Sequence, residues 1–136
     1  MSDWDSYPSW NPFIVKVHIQ PGKAGHPEKM LFRLVWHNGR KGSSREQMIL
    51  ASPPNAGSAE LQYKYNALIA KLGLLKATRI QQLTAIGNQT EYFTREDYVG
   101  CLARFVPIKA VSQGFAKQAK ALAVVAEAAA EPKNGN

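Results

Sequence analysis

Several features that would define common protein classes are scarce in this chain of 136 residues. It has one cysteine, so no intrachain disulfide can form, and a reducing compartment is favoured. No apolar run reaches the length of a membrane span, and the chain does not open with a basic segment followed by an apolar stretch. These absences argue against a membrane or secreted protein, and we expect a cytoplasmic location.

Motifs for catalysis and metal binding are also missing. The three histidines have no ligand spacing with one another or with Cys101, which predicts no metal site. We find no phosphate-binding loop, no nucleophile elbow and no convincing pair of catalytic carboxylates. We therefore expect a protein that is not an enzyme and that uses no cofactor.

Positive charge is abundant and unevenly distributed. The chain has 17 Lys and Arg residues against 10 Asp and Glu, for a net charge of +7. Residues 13–45 hold seven basic side chains and one acidic one, Glu28, so most of the surplus lies in this segment. Such a segment can be an ordinary solvated face, but its density of charge favours a surface that binds anions.

The first half of the chain predicts β-structure. Apolar and polar residues alternate over 13–20 and 30–37, as in half-buried strands, and 44–50 can return as a third strand. Asn38 and Gly39 favour a tight turn between the second and third strands. A hairpin with a basic tip is the expected result.

The second half predicts helices around one more strand. Apolar residues three and four apart indicate a helix over 58–72 and a shorter one over 78–86, and 94–97 resembles a capped helical turn. Residues 101–108 read as a fourth strand that ends at an edge because of Pro107. The alanine-rich segment 115–131 has high helix propensity.

These elements predict a mainly β protein. An economical arrangement is an OB-fold-like small antiparallel barrel, with a helix inserted before the last strand and an Ala-rich helix at the C-terminus. We expect an extended N-terminal arm over 1–12, an OB-like nucleic-acid-binding domain over 13–111, and a helical tail with a frayed end over 112–136.

A basic sheet face with aromatic residues near its rim can bind a single nucleic-acid strand, because cations hold phosphates while bases stack on rings. The predicted phosphate-binding residues lie opposite the apolar face or in the hairpin tip: Lys16, Arg33, Arg40, Lys41 and Arg45. Trp10 or Trp36 would offer stacking. Alternatively, Trp36 packs in the core, and Trp4, Tyr7 and Trp10 fold against the domain as a latch.

The order of segments over roughly residues 4–109 resembles a family of small phage and prophage proteins. The resemblance is carried by Trp4-Asp5 and by the segments FIVKVHIQ, MLFRLVWHNGRKG, REQMIL, LIAKLGL and REDYVGCLARFVPIK. It implies an OB-fold protein that coats single-stranded DNA during replication and recombination in the host bacterial cytoplasm. Two departures stand out, since the family normally closes with a further strand, and EPKNGN is not the acidic tip that recruits partners in many such proteins.

The sequence therefore predicts a sequence-nonspecific single-stranded DNA-binding protein encoded by a phage or mobile element. It leaves open RNA as the ligand, and a homo-oligomer or cooperative assembly on DNA. One alternative is a phage protein-interaction module that inhibits a host complex. The other is a virion assembly component whose alanine-rich segment packs against a copy of itself.

Overall fold

One antiparallel sheet of six strands organises the part of the chain that this computed structural model describes, residues 4–20 and 28–130. The strands are β1 (Ile14–Gln20), β2 (Lys29–Val35), β3 (Lys41–Asn55), β4 (Ser58–Tyr65), β5 (Lys76–Ile86) and β6 (Gln89–Val99). Each strand pairs with the next one along the chain, so the sheet order is the sequence order. The sheet is not closed, and β1 and β6 form its two edges.

Helical segments flank the sheet. They are α1 (Tyr7–Trp10), α2 (Leu68–Lys71), a 3₁₀ helix (Ala103–Phe105) and α3 (Ile108–Ala130). None of the helices in the described residues is long and apolar enough to span a membrane.

The two faces of the sheet differ in their burial. One face, the inner face, carries Phe32 and Tyr63, whose rings meet edge to face at 5.4 Å between centroids. The helix α3 covers this face, because Phe115 of α3 packs its ring against that of Phe13 at 6.0 Å. The opposite, outer face of β1 to β3 carries exposed charged residues that alternate with the core positions. Burial of the inner face therefore sets the direction of every side chain on the outer face.

The N-terminal segment is not the extended arm that the sequence predicts. Residues Tyr7–Trp10 form α1, and Tyr7 is buried in the core with Trp4, whose ring lies 5.8 Å from that of Phe32. Pro8 is compatible with the helix because it stands in the first turn, where no intrahelical N–H bond is lost. Burial of the large rings of Trp4 and Tyr7 thus outweighs the preference of this segment for an extended backbone. The structure agrees with the alternative interpretation, in which these rings fold against the domain as a latch.

The first three predicted strands and the C-terminal helix are confirmed. The strand predicted at 13–20 corresponds to β1, the one at 30–37 to β2, and the one at 44–50 to part of the longer β3. The alanine-rich helix begins at Ile108, seven residues before the predicted start at 115.

The helices predicted at 58–72 and 78–86 are wrong, and so is the helical turn at 94–97. These segments form β4, β5 and β6, with only the four residues of α2 helical in between. In β5 the inward-facing side chains include Arg79 and Gln81, which are buried and hydrogen-bonded. Polar residues on the buried face hid the alternation, so the spacing of the remaining apolar residues suggested a helix.

The fourth predicted strand, at 101–108, is a turn followed by the 3₁₀ helix. The expected helix inserted before the last strand is replaced by β4 and β5, and the expected closed barrel is an open sheet. Helix α3 protects the inner face in place of barrel closure.

We expect Gly114→Ala to destabilise the protein, because a Cβ at this position would lie 2.6 Å from the ring of Phe13. Phe13 is buried and held between Trp36 and Phe115, so it cannot retreat easily. Overpacking of about 1–3 kcal/mol should exceed the gain of about 1 kcal/mol in helix propensity. Urea unfolding measures the difference. The control Ser112→Ala, exposed on the same helix, should change stability by less than about 0.5 kcal/mol, and an equally small change for Gly114→Ala would contradict the packing described.

Candidate functional site

Four of the predicted phosphate-binding residues share the outer face of the sheet. The antiparallel register pairs Lys16 with Arg33, Leu31 with Arg45, and Val35 with Lys41. Paired residues of adjacent strands point to the same side, and Met30, Phe32 and Leu34 point to the other side, into the core. Lys16, Arg33, Lys41 and Arg45 are all exposed. The structure therefore brings these four cations together on β1, β2 and β3.

Two further lysines on this face were missed by the sequence reasoning. Lys29 and Lys64 both pair with Gln47, one from each side, so β4 extends the row of cations beyond β3. Lys64 was assigned to a helix, where it had no sheet neighbours. A period-two pattern of Leu61, Tyr63 and Tyr65 was the signal that could have placed it. We call the set Lys16, Lys29, Arg33, Lys41, Arg45 and Lys64 the basic face.

The basic face is not neutralised by carboxylates. Within residues 4–20 and 28–130, the ion pair found is Arg95 with Asp97, at 3.0 Å on β6. The cations of the basic face have no carboxylate within 4.0 Å in the same part of the chain. Their charge is available to a ligand.

A shallow basic pocket adjoins the basic face. Three lysines border it, Lys64 on β4, Lys71 on α2 and Lys76 on β5, and its volume is about 310 Å³. The side chain of Gln47 lines the same pocket and connects it to the basic face. A phosphate lying there would be near several ammonium groups.

Arg40 lies apart from this face, at the tip of the hairpin that joins β2 and β3. Gly39 adopts a φ of +78°, and the backbone N–H of Arg40 donates to Oδ1 of Asn38 at 3.1 Å. These contacts fix the turn that the Asn-Gly pair predicted. The exposed guanidinium of Arg40 extends beyond the end of the sheet next to Lys41.

The two predicted stacking residues lie away from the basic face. The ring of Trp36 packs edge-on against Phe13 at 5.4 Å between centroids, on the inner side of the sheet. Trp10 packs on Tyr7 at 4.9 Å, and its Nε1–H donates to Oγ of Ser6 at 3.4 Å. This geometry agrees with the alternative interpretation, in which both tryptophans support the core.

A cavity of about 430 Å³ lies on the other side of the sheet, between the inner face, α3 and the 3₁₀ helix. We call it the inner cavity. Its walls are mainly aromatic and aliphatic, and its polar side chains include Glu46, Arg79, Glu96 and Tyr98. Sequence reasoning did not predict this cavity, because its polar residues come from segments that were predicted as helices or assigned to the surface.

Arg79 connects the sheet to α3 beside this cavity. Its Nε–H donates to Oγ1 of Thr94 at 3.2 Å, and one terminal nitrogen donates to Oε1 of Gln118 at 3.0 Å. The guanidinium carbon lies 3.7 Å from the centre of the Phe115 ring. Hydrogen bonds and a cation–π contact thus hold a charge that is 4% exposed.

Two carboxyl groups of the inner cavity have raised pKa values. Burial raises the pKa of Glu46 to about 8, although a hydrogen bond from the Ser44 hydroxyl opposes the shift. Burial likewise raises the pKa of Glu96, which accepts a hydrogen bond from the Tyr98 hydroxyl at 2.7 Å. Desolvation penalises the charged form in both cases.

No family model, no curated protein and no solved structure matches this chain. Its function is therefore argued from the geometry of the two faces.

We expect stability to fall with rising pH because of Glu46. The folded carboxyl keeps its proton up to a pKa of about 8, whereas the unfolded carboxyl loses it near 4.5. The native state binds more protons between these values, so this contribution is complete below the lower pKa and is lost as pH rises through the higher one. The loss can reach about 1.4 kcal/mol per pH unit.

Urea unfolding between about pH 5 and pH 8 measures this slope. The variant Glu46→Gln should show a flatter pH dependence than the parent, because it has no proton to lose there. Glu127→Gln, at an exposed position of α3, serves as the control and should keep the parent slope. A slope unchanged by Glu46→Gln would contradict the buried neutral carboxyl.

Proposed function

We propose that this protein binds single-stranded DNA through the basic face, without sequence specificity. The observation that carries the proposal is the alignment of six exposed cations on one uncovered side of β1 to β4, with no carboxylate partner in the described residues. Lysine and arginine on a surface of this kind bind a polyphosphate chain by releasing its counterions. Arg40 at the hairpin tip, together with Lys71 and Lys76 of the basic pocket, extends the path for the phosphates.

The side chains between the cations favour a single strand over a duplex. Leu31 and Val35 are half-buried and lie among the lysines and arginines of the basic face. Bases of a single strand are accessible to such apolar side chains, whereas the bases of a duplex are stacked inside it. The exposed imidazole of His18, opposite Leu31, lies among these cations, and no Trp, Tyr or Phe of the described residues stands between them. We therefore expect the phosphates to supply most of the affinity and base preference to be slight.

The setting proposed for this activity follows the resemblance noted in the sequence. The protein would be phage-encoded or carried by a mobile element, would act without catalysis, and would support replication or recombination in the bacterial cytoplasm. An OB-fold relationship belongs to the same proposal. Binding by the basic face does not require barrel closure, because an open sheet presents the same cations on adjacent strands.

The first test is removal of three cations from the basic face. We expect the triple variant Lys16→Ala, Arg33→Ala, Arg45→Ala to bind a fluorescent oligo-dT strand roughly tenfold or more weakly, because phosphate contacts are lost. The slope of log K against log salt should shrink by about 2, since each contact on a single strand contributes about 0.7. Fluorescence anisotropy at several salt concentrations measures both quantities.

The matched control removes the same charge from the other side of the molecule. Lys109→Ala, Lys117→Ala, Lys120→Ala changes three exposed lysines of α3. This variant should keep most of the affinity for oligo-dT and its salt slope. Equal losses of oligo-dT affinity in the two triple variants would indicate that net charge alone determines binding. Equal affinity of the parent for oligo-dT and for a duplex of the same length would reject the single-strand preference.

A second test concerns the tryptophans. We expect Trp36→Phe and Trp10→Phe to leave the affinity for oligo-dT within about twofold, because both rings pack against the core and not among the cations. A stacked base contributes about 1–3 kcal/mol, so a large loss in either variant would show that the ring takes part in binding. Circular dichroism of each variant checks that the fold is retained.

A further inference from the structure

The inner cavity is large for a domain of this size. Protein interiors are packed to crystal-like density and hold few voids larger than a water molecule, yet this cavity measures about 430 Å³. That volume lies in the range of small-molecule sites, which are mostly apolar with a few converging polar groups. The cavity fits this description, because the rings of Phe13, Trp36 and Phe115 form walls around the buried polar group of Arg79.

The cavity opens to solvent beside the 3₁₀ helix. Phe105 lines it and is nevertheless 67% exposed, so this wall reaches the surface of the described structure. Val106 and Pro107 continue the same wall toward α3. This side of the cavity is where a small molecule would enter.

The charge of Arg79 has no counter-ion in the described residues. The guanidinium lies in no ion pair there, and its hydrogen bonds to Thr94 and Gln118 use two of its five N–H donors, which leaves three. A buried charge is costly unless it is paired, and a guanidinium pairs best with a planar carboxylate through two parallel hydrogen bonds. Arg79 thus keeps free donors for an anion, since Glu96, its cross-strand neighbour on β6, does not lie within ion-pair distance.

The other titratable groups around the cavity form no ion pair with Arg79 in the described residues. They are Glu46 on β3, Tyr63 and Tyr65 on β4, and Glu96 and Tyr98 on β6, while the side chains that α3 contributes are apolar. Burial raises the pKa of both carboxyl groups, to about 8 for Glu46, because desolvation penalises their charged forms. The guanidinium of Arg79 therefore places a positive charge close to the aromatic walls of the cavity.

We propose that the inner cavity binds a small aromatic monocarboxylate, whose carboxylate pairs with Arg79 and whose ring packs among Phe13, Trp36 and Phe115. This site is separate from the basic face, since the two lie on opposite sides of the sheet. Binding there does not depend on the proposed function.

The direct test compares three probes of one shape and different charge: 2-naphthoate, 2-naphthamide and 2-naphthylmethylamine. Isothermal titration calorimetry near neutral pH should show one naphthoate per chain, bound at least tenfold more tightly than the amide, and no binding of the amine. Chemical-shift changes in the NMR spectrum should centre on Val111 and Phe115. Equal affinity for naphthoate and naphthamide, no measurable binding, or shifts confined to the basic face would overturn the proposal.

Variants locate the site and separate it from the basic face. Val111→Trp should fill the cavity and abolish naphthoate binding, whereas Val124→Trp, exposed on the same helix, should leave it unchanged. Arg79→Met should remove the preference for naphthoate over naphthamide. If Arg79→Met does not fold, the effect of Val111→Trp on naphthoate binding tests the site instead. The triple variant of the basic face should keep its naphthoate affinity within twofold. Loss of binding in this triple variant would assign the anion to the outer surface instead and refute the inner site.

Discussion

The buried guanidinium of Arg79 is the interaction on which the arrangement of sheet and helix depends. It extends from the middle of β5, bonds to Thr94 on the neighbouring strand, and reaches Gln118 on α3. Gln118 in turn donates to Gln81, which donates to the Tyr63 hydroxyl and accepts from the Tyr92 hydroxyl. A polar network of this kind is stabilising only when its members are satisfied together, so it fixes where the helix crosses the sheet.

The position of α3 separates the two faces of the molecule. An antiparallel sheet can be packed on one side and solvated on the other. Here the helix and α1 cover the inner face, and the outer face keeps its lysines and arginines in water. Alternate residues of β1 to β3 point to opposite faces, as Phe32 points inward and Arg33 outward. The same strand register therefore buries the apolar core and exposes the cations.

The inner face departs from the full apolar packing that is usual for a buried sheet face. Its half near β1 and α1 is a dense aromatic core, in which Trp4, Tyr7 and Phe32 are in contact. Toward α3 and the 3₁₀ helix the same face borders the inner cavity, whose polar lining includes Glu46 on β3, Arg79 on β5 and Glu96 on β6. Functional sites commonly lie where a fold departs from full apolar packing, because groups with perturbed protonation and unpaired charge are concentrated there.

Strands β1 to β3 could be predicted because their buried positions are apolar and their exposed positions are polar or charged. The same reasoning failed for β5, where Arg79 and Gln81 occupy buried positions. It also failed for β4, because Leu61 and Tyr65 of that strand fit a helical spacing with Leu68 of α2. Four of the cations of the basic face were predicted with the early strands. Lys64 was not, since its neighbours Lys29 and Gln47 are adjacent only through strand pairing.

Local pattern alone therefore determined the surplus of positive charge, the alternation of the first strands and the helical alanine-rich segment, because each depends on residues close together in the chain. The tertiary structure decided the open six-stranded sheet, the burial of Trp4 and Tyr7, and the cavity around Arg79. These features depend on contacts between segments far apart in sequence, and a buried polar residue becomes favourable only after its distant partners are in place.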